Sequence, residues 1–159
     1  MNSSKSLDEL KTIRKQLKEQ KKKVVFTNGC FDLIHAGHVD YLTKAKAMGD
    51  ILIVGLNSDV SVKKIKGEKR PILNESERTL ILLNLKPVDY VVLFDEDTPA
   101  KLIEELIPDI LVKGADWEMN NIVGKDVVIE NGGEVRTVEF INNQSTSNII
   151  KLIVDRFRG

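Results

Sequence analysis

A chain of 159 residues, 42% apolar and 30% charged, has the length for one domain with one core and the balance of a water-soluble protein. Its 24 Lys and Arg offset 24 Asp and Glu, which argues against a general nucleic-acid binder, since such proteins carry a positive excess. One cysteine, Cys30, excludes an intrachain disulfide, no apolar run approaches a membrane span, and the polar, basic N-terminus lacks a signal-peptide apolar stretch, so a complete cytoplasmic chain without nucleic-acid or membrane partners is expected.

Leu7, Leu10, Ile13 and Leu17 recur at helical spacing and predict an amphipathic helix over 6–20. Ser6 and Glu9 fit a capping box at its start, and Lys21 to Lys23 suit the dipole at its end. Val24-Val25-Phe26-Thr27 predicts a short buried strand that runs into the turn Asn28-Gly29-Cys30. A helix over 38–48 follows, with Val39, Leu42, Ala45 and Met48 on one face and Gly49 as its C-cap. Ile51 to Leu56 is apolar on both faces, as a central parallel strand should be.

A basic loop covers 61–71, and Asn74 with Glu77 caps a helix running to Leu85. Val88 to Phe94 is a third strand. Thr98 caps the next helix, with Pro99 at its first position and Ile107 near its end. Ile110 to Val112 is a fourth strand, and a loop carrying Trp117 leads to a short helix over 124–130 that Gly132-Gly133 ends. Val135 to Phe140 is a fifth strand. Ser145 or Thr146 opens a last helix with Ile149, Ile150, Ile153 and Val154 on its buried face.

Strand and helix thus alternate five times. The pattern predicts an α/β fold: one Rossmann-like domain over 23–159 with a five-stranded parallel sheet flanked by helices, preceded by a helical extension over 1–22. In such sheets ligands bind at the carboxyl ends of the strands, and the polar signals fall there.

The first follows the first strand: Thr27-Asn28-Gly29-Cys30-Phe31-Asp32-Leu33-Ile34-His35-Ala36-Gly37-His38. His35 and His38 share one turn at a helix start, where backbone N–H groups attract phosphate and imidazoles can donate to phosphoryl oxygens. Gly37 between them permits close approach. Zinc binding by Cys30, His35 and His38 is the competing reading, but a zinc site needs three or four ligands at a recognised spacing, and the chain has no further Cys or His.

The His-Ala-Gly-His run in this setting resembles the signature of the cytidylyltransferase-like nucleotidyltransferases. The longer run from Phe26 to His38 resembles the adenylyltransferase domain of bacterial ADP-heptose synthesis, whose substrate is D-glycero-D-manno-heptose 1-phosphate, and the resemblance spans about residues 6–155. It implies nucleotide contacts from Thr27, Asn28, Gly29, Phe31 and Gly37, α- and β-phosphate contacts from His35 and His38, and an acceptor or orienting role for Asp32.

Four further segments extend the resemblance. Asn57-Ser58-Asp59 through Lys63, Lys66, Arg70 and Pro71 is similar to the family's basic segment, which implies phosphate contacts from Lys63, Lys66 and Arg70, with Lys66 catalytic, and sugar contacts near Asn57. Glu77-Arg78 is similar to the family's acid-arginine pair, which adds Arg78 to the acceptor site. Val112-Lys113-Gly114-Ala115-Asp116-Trp117 is similar to a family turn in which Gly114 and Asp116 meet the base or ribose; Ala115 stands where related cytidylyltransferases carry a first acid. Asn142 to Ile150 holds Ser145, Thr146 and Ser147, which resemble the second signature and imply β- and γ-phosphate contacts; Asn148 and Lys151 stand where relatives often carry an arginine. Trp117 can stack on a base or cap the core edge. The acidic run Asp95-Glu96-Asp97 reads as an exposed loop.

These expectations amount to an enzyme that joins the monophosphate of ATP to heptose 1-phosphate and releases pyrophosphate, with Mg²⁺ carried by the nucleotide. Its alternatives are a CTP-dependent enzyme acting on a polyol phosphate or phosphonate, and a nucleotide-binding module without turnover. The resemblance is compatible with a homodimer and implies a separate sugar kinase and phosphatase.

Overall fold

A computed structural model describes residues 3–141 and 144–159. The elements in chain order are β1 (Ser3–Ser4), α1 (Leu7–Glu19), β2 (Val24–Gly29), α2 (Ala36–Lys46), β3 (Ile51–Asn57), α3 (Asp59–Lys66), α4 (Glu75–Leu83), β4 (Tyr90–Phe94), α5 (Ala100–Leu106), β5 (Ile110–Gly114), α6 (Lys125–Glu130), β6 (Glu134–Val138) and α7 (Thr146–Phe157). Local chemistry sets several of these starts. Ser6 accepts from the Glu9 amide and Glu9 reaches back to the Ser6 amide; Asn74 and Glu77 exchange the same pair of bonds.

The sheet is Rossmann-like and parallel, in the order β1-β4-β3-β2-β5-β6. It has six strands where the apolar runs predict five. The sixth is Ser3–Ser4, whose polar residues carry no strand pattern. It exists because Ser3 N–H donates to Asp89 O and Lys5 N–H to Val91 O, which covers the otherwise open edge of β4.

Two apolar clusters fill the two faces. Val25, Leu52, Val54 and Val112 pack with Tyr41, Leu42 and Ala45 of α2 and Leu82 of α4. Phe26, Ile53, Val92 and Leu111 pack with Leu10 and Leu17 of α1, Leu102 and Ile103 of α5, and Val128 of α6. The N-terminal helix therefore contributes to the core; Leu10 is fully buried.

Several boundaries differ from the expected ones. The segment expected as a basic loop forms α3, because Ser58 caps it by accepting from Ser61 N–H at 3.2 Å and Val62 is buried along one side; Gly67, at φ 96°, ends it. Helix α2 ends at Lys46 with Ala47 as its C-cap, and Gly49 instead packs against Val25, where a Cβ would lie 2.7 Å from its side chain. Thr98 makes no capping bond; Pro99 occupies that position. The expected buried face of α7 is largely uncovered: Ile153 is 49% and Val154 41% exposed. An apolar stripe encodes an amphipathic helix, not what covers it. No helix among the described residues is long and apolar enough to cross a membrane.

Candidate functional site

The carboxyl ends of β2, β3 and β5 open into a cleft of about 730 Å³, within the usual range for small-molecule sites. It lies where strand order reverses, with β3 and β4 to one side of β2 and β5 and β6 to the other.

The β2–α2 turn forms the first wall. Phe31 and Leu33 have φ of 46° and 49°, left-handed values that cost a residue with a side chain about 1–3 kcal/mol. Asp32 between them holds this path. It is 1% exposed, and its carboxylate accepts from Arg70 Nε at 2.9 Å and from the amides of Ile72 at 2.7 Å and Leu73 at 3.0 Å. Burial pushes its pKa up, but the Leu73 and Ile72 amides and the Arg70 guanidinium together hold it below the usual carboxylate range. Its carbonyl accepts from Thr146 Oγ1 at 2.6 Å. Asp32 was expected on substrate, a histidine or a cation; both carboxylate oxygens are instead spent on residues 70–73, so it joins three loops of the site.

His35 is the N-cap of α2. Its Nδ1 accepts from Gly37 N–H at 3.1 Å, and His38 Nδ1 accepts from His35 N–H at 3.3 Å. In both neutral rings the hydrogen bond assigns the proton to Nε2. The two rings lie with centroids 4.0 Å apart, tilted by 34°. Burial, then the charge of His35, pushes the His38 pKa down to about 4, and burial lowers His35 as well. Two neutral imidazoles with Nε2–H donors therefore line the cleft at a helix N-terminus. Gly37 itself does not line it; its role is spatial, since a Cβ there would lie 2.9 Å from the His35 ring.

The start of α7 adjoins this wall, and Ser145, Thr146 and Ser147 line the cleft there. Ser145 Oγ caps the helix by accepting from Asn148 N–H at 3.1 Å, so its proton stays available. The Thr146 hydroxyl proton is committed to Asp32 O. Asn142 and Asn143 of this segment lie outside the described residues. Gly114 meets the cleft beside Phe140, and a Cβ there would clash with the Phe140 ring and with Asp116 Oδ1. Phe140 stacks on Tyr41, centroids 5.3 Å apart.

Of the remaining expected residues, Asn28, Gly29, Phe31, Asn57, Lys66, Arg70 and Asp116 line the cleft. Thr27, Lys63 and Arg78 do not. Thr27 is fully buried, with Oγ1 bonded to Tyr41 Oη at 2.8 Å and Val112 O at 2.9 Å; it clamps α2 to β5. Lys63 is exposed and does not line the cleft. Arg78 is 0% exposed and donates to Cys30 O at 2.8 Å, Asn57 O at 2.7 Å, Leu73 O at 3.0 Å and Asp59 Oδ1 at 2.7 Å. It ties the ends of β2 and β3 together from outside the lining of the cleft.

The cleft also holds a residue that sequence reasoning passed over. Lys113 is 7% exposed, donates to Asn28 Oδ1 and lies 5.5 Å from the Trp117 ring centroid. Burial lowers its pKa to about 8 against the opposing pull of Asp116. The available signal was a lysine at the end of an otherwise apolar central strand. Asp97, from the run taken for an exposed loop, is exposed but at the rim of the cleft. Among the described residues no cluster of three His, Cys, Asp or Glu side chains gathers to hold a metal. Burial raises the Cys30 thiol pKa, against Lys66, Arg78 and Arg70.

The cytidylyltransferase-like family profile matches residues 26–152. The chain is 59% identical over 136 residues to the bifunctional protein HldE of Citrifermentans bemidjiense, covering 86% of this chain and 28% of that protein. It is 57% identical over 150 residues to the bifunctional protein HldE of Geobacter metallireducens, covering 94% and 31%. The chain thus spans less than a third of these curated relatives. Among solved structures, the lipopolysaccharide core biosynthesis protein of Thermoplasma volcanium superposes with a TM-score of 0.62 at 31% identity, over 77% of this chain and 99% of that one. A pantoate-beta-alanine ligase of Francisella tularensis superposes with a TM-score of 0.63 at 14% identity, covering all of this chain and 80% of the other, which is a likeness of fold.

Proposed function

This chain belongs to the cytidylyltransferase-like family, and from that premise we propose that it is a nucleotidyltransferase that joins AMP from ATP to heptose 1-phosphate, giving ADP-heptose and pyrophosphate. The observation that carries this reading is the pair of Nε2–H imidazoles at the start of α2, beside the hydroxyl-bearing start of α7 in one cleft at the carboxyl ends of the strands. Two helix N-termini converging on one cleft favour a polyanion.

An oxygen of the sugar phosphate attacks the α-phosphorus of the nucleotide; that P–O bond forms as the bond from the α-phosphorus to the bridging oxygen breaks, and the electron pair leaves with pyrophosphate. No protein nucleophile is required. The work of the chain is positioning and charge stabilisation. His35 and His38 donate to the α- and β-phosphate oxygens as charge develops. Ser145, Ser147 and the start of α7 hold the β- and γ-phosphates. Lys66 and Arg70 neutralise pyrophosphate and the acceptor phosphate. Gly114 lets the nucleoside lie against backbone between Phe140 and Asp116. Mg²⁺ enters with the nucleotide: such an ion needs one or two carboxylates besides phosphate and water, and the cleft offers Asp97 and Asp116 rather than a closed cage.

The relatives' description as bifunctional, and the share of their length matched here, fit a chain carrying one of two activities. Its sugar phosphate would be supplied by a kinase step and a phosphatase step, in the cytoplasm where ATP is abundant. The test is pyrophosphate release with Mg²⁺, crossing ATP and CTP with both anomers of heptose 1-phosphate and with glycerol 3-phosphate. Release with ATP only in the presence of a heptose 1-phosphate is expected. Release with CTP and glycerol 3-phosphate would replace the substrates, and nucleotide binding without release from any pair would replace the enzyme by a binding module.

A further inference from the structure

Strand alternation divides the cleft floor into two halves. Successive side chains of a strand face opposite sides of its sheet. In β2, β3 and β5, Val25, Val54 and Val112 face α2, whereas Phe26, Ile53 and Leu111 face α5 and α1. Two residues on, the second set continues into Asn28 of β2 and Lys113 of β5, and four residues on into Asn57 of β3. The same side is marked by Gly55, whose added Cβ would meet Phe26, Asn28 Cβ and Leu102 of α5. Three polar side chains thus stand at the carboxyl ends of three adjacent strands, on the α5 side of a cleft whose histidines stand on the α2 side.

The chemistry of this half is specific. Burying an ammonium costs several kcal/mol unless it is well paired, yet the hydrogen-bond partner of Lys113 is a neutral amide. That bond occupies the carbonyl oxygen of Asn28 and turns its two N–H donors elsewhere, while the ammonium keeps two of its three donors. The indole of Trp117 covers one side of it. The loop before α5 brings Asp97, Thr98 and Pro99 to the same half. Such a cluster, rich in donors and set apart from the anion-binding helix starts, suits a neutral polyhydroxylated group.

Resting on the transfer reading above, we propose that Lys113 Nζ and Asn28 Nδ2 bind the hydroxyl groups of the acceptor sugar, so that the sugar lies on the α5 side of the cleft and the nucleotide on the α2 and α7 side. This moves Asn28 from the nucleotide, where the family resemblance alone would put it, to the acceptor.

The test is the separation of the two Michaelis constants in Lys113→Met and Asn28→Ala, with ATP and heptose 1-phosphate varied in turn. Losing a hydrogen bond to a charged donor corresponds to roughly a tenfold or greater change. The expected result is an acceptor KM raised at least about tenfold in Lys113→Met and less in Asn28→Ala, with the ATP KM within about twofold of wild type. A parallel rise in both constants, a higher ATP KM alone, or no change in either would overturn the assignment. If Lys113→Met does not fold, Asn28→Ala carries the same test. If the wild-type protein releases no pyrophosphate with any acceptor, the transfer reading falls separately. Calorimetric titration with heptose 1-phosphate then decides the pair: weaker binding to the variants retains it, and equal binding, or no binding to wild type, overturns it.

Discussion

Among the segments that read from sequence as phosphate sites, the fold treats the histidine turn and the basic segment differently. The turn after β2 delivers both His35 and His38 to the cleft, while the basic segment that follows β3 is divided: Lys66 and Arg70 reach the cleft and Lys63 does not. A strand-to-helix turn is tied at both ends, and here its backbone is further held by Asp32. Lys63 and Lys66 are three residues apart and neighbours on the surface of α3, yet only Lys66, at its last position, and Arg70, in the segment after it, line the cleft. Charge density in a sequence is therefore a weaker locator of a site than a turn at a strand end.

Variants can sharpen or break this contrast. The largest effect is expected at Arg78, which follows the basic segment and is expected from sequence on the acceptor, yet is wholly buried. Arg78→Met leaves Asp59 Oδ1 and three carbonyl groups without their donor and should cost about 3–5 kcal/mol of stability in urea unfolding. A variant of wild-type stability with a raised acceptor KM would return Arg78 to the site. His38→Ala should lower kcat about 10²–10³-fold, the scale for a transition-state donor, with its unfolding midpoint changed far less than that of Arg78→Met; undiminished turnover would sink the role given to the imidazoles. Lys66→Met should lower kcat/KM roughly ten- to a hundredfold, as for one charge-assisted hydrogen bond, and Lys63→Met by no more than about twofold, as for an exposed charge. Equal losses at the two lysines would break the contrast outright.

The smallest effect concerns pH. His38 is depressed from 6.5 to about 4 in the folded protein, so it stays neutral through the range in which an ordinary histidine titrates. The kcat at saturating substrates should lack a histidine step near pH 6.5. Stability behaves differently. The unfolded chain takes up a proton near pH 6.5 while the folded one resists it, so this contribution is complete above 6.5 and is lost as pH falls towards 4. An activity step near 6.5, or no weakening of His38-containing protein relative to His38→Ala in that window, would contradict the burial argument.

Much of the site was legible because it sits at strand ends. Burial of Val24 to Phe26 and Leu52 to Leu56 follows from their apolar runs, and the His-Ala-Gly-His turn had to follow the first of them. Asp32, Thr27 and Arg78 were recognised as polar residues near these ends, but their partners lie 38 to 41, 14 to 85 and 5 to 48 residues away, beyond the reach of local pattern. Lys113 was visible as a lysine closing an apolar strand, yet its bond to Asn28 spans 85 residues.

The sequence by itself determined the alternation of strands and helices, the capping of α1 and α4 and the turn that carries the histidines, because each rests on periodicity or on bonds between residues three or four apart. Only the tertiary structure decided that two serines near the N-terminus complete the sheet edge, that α7 leaves much of its apolar face exposed, and that the arginine of one helix is structural while the lysine of one strand faces the cleft. Those outcomes depend on which groups meet across the sheet, and a buried polar side chain takes its role from whichever partner satisfies it.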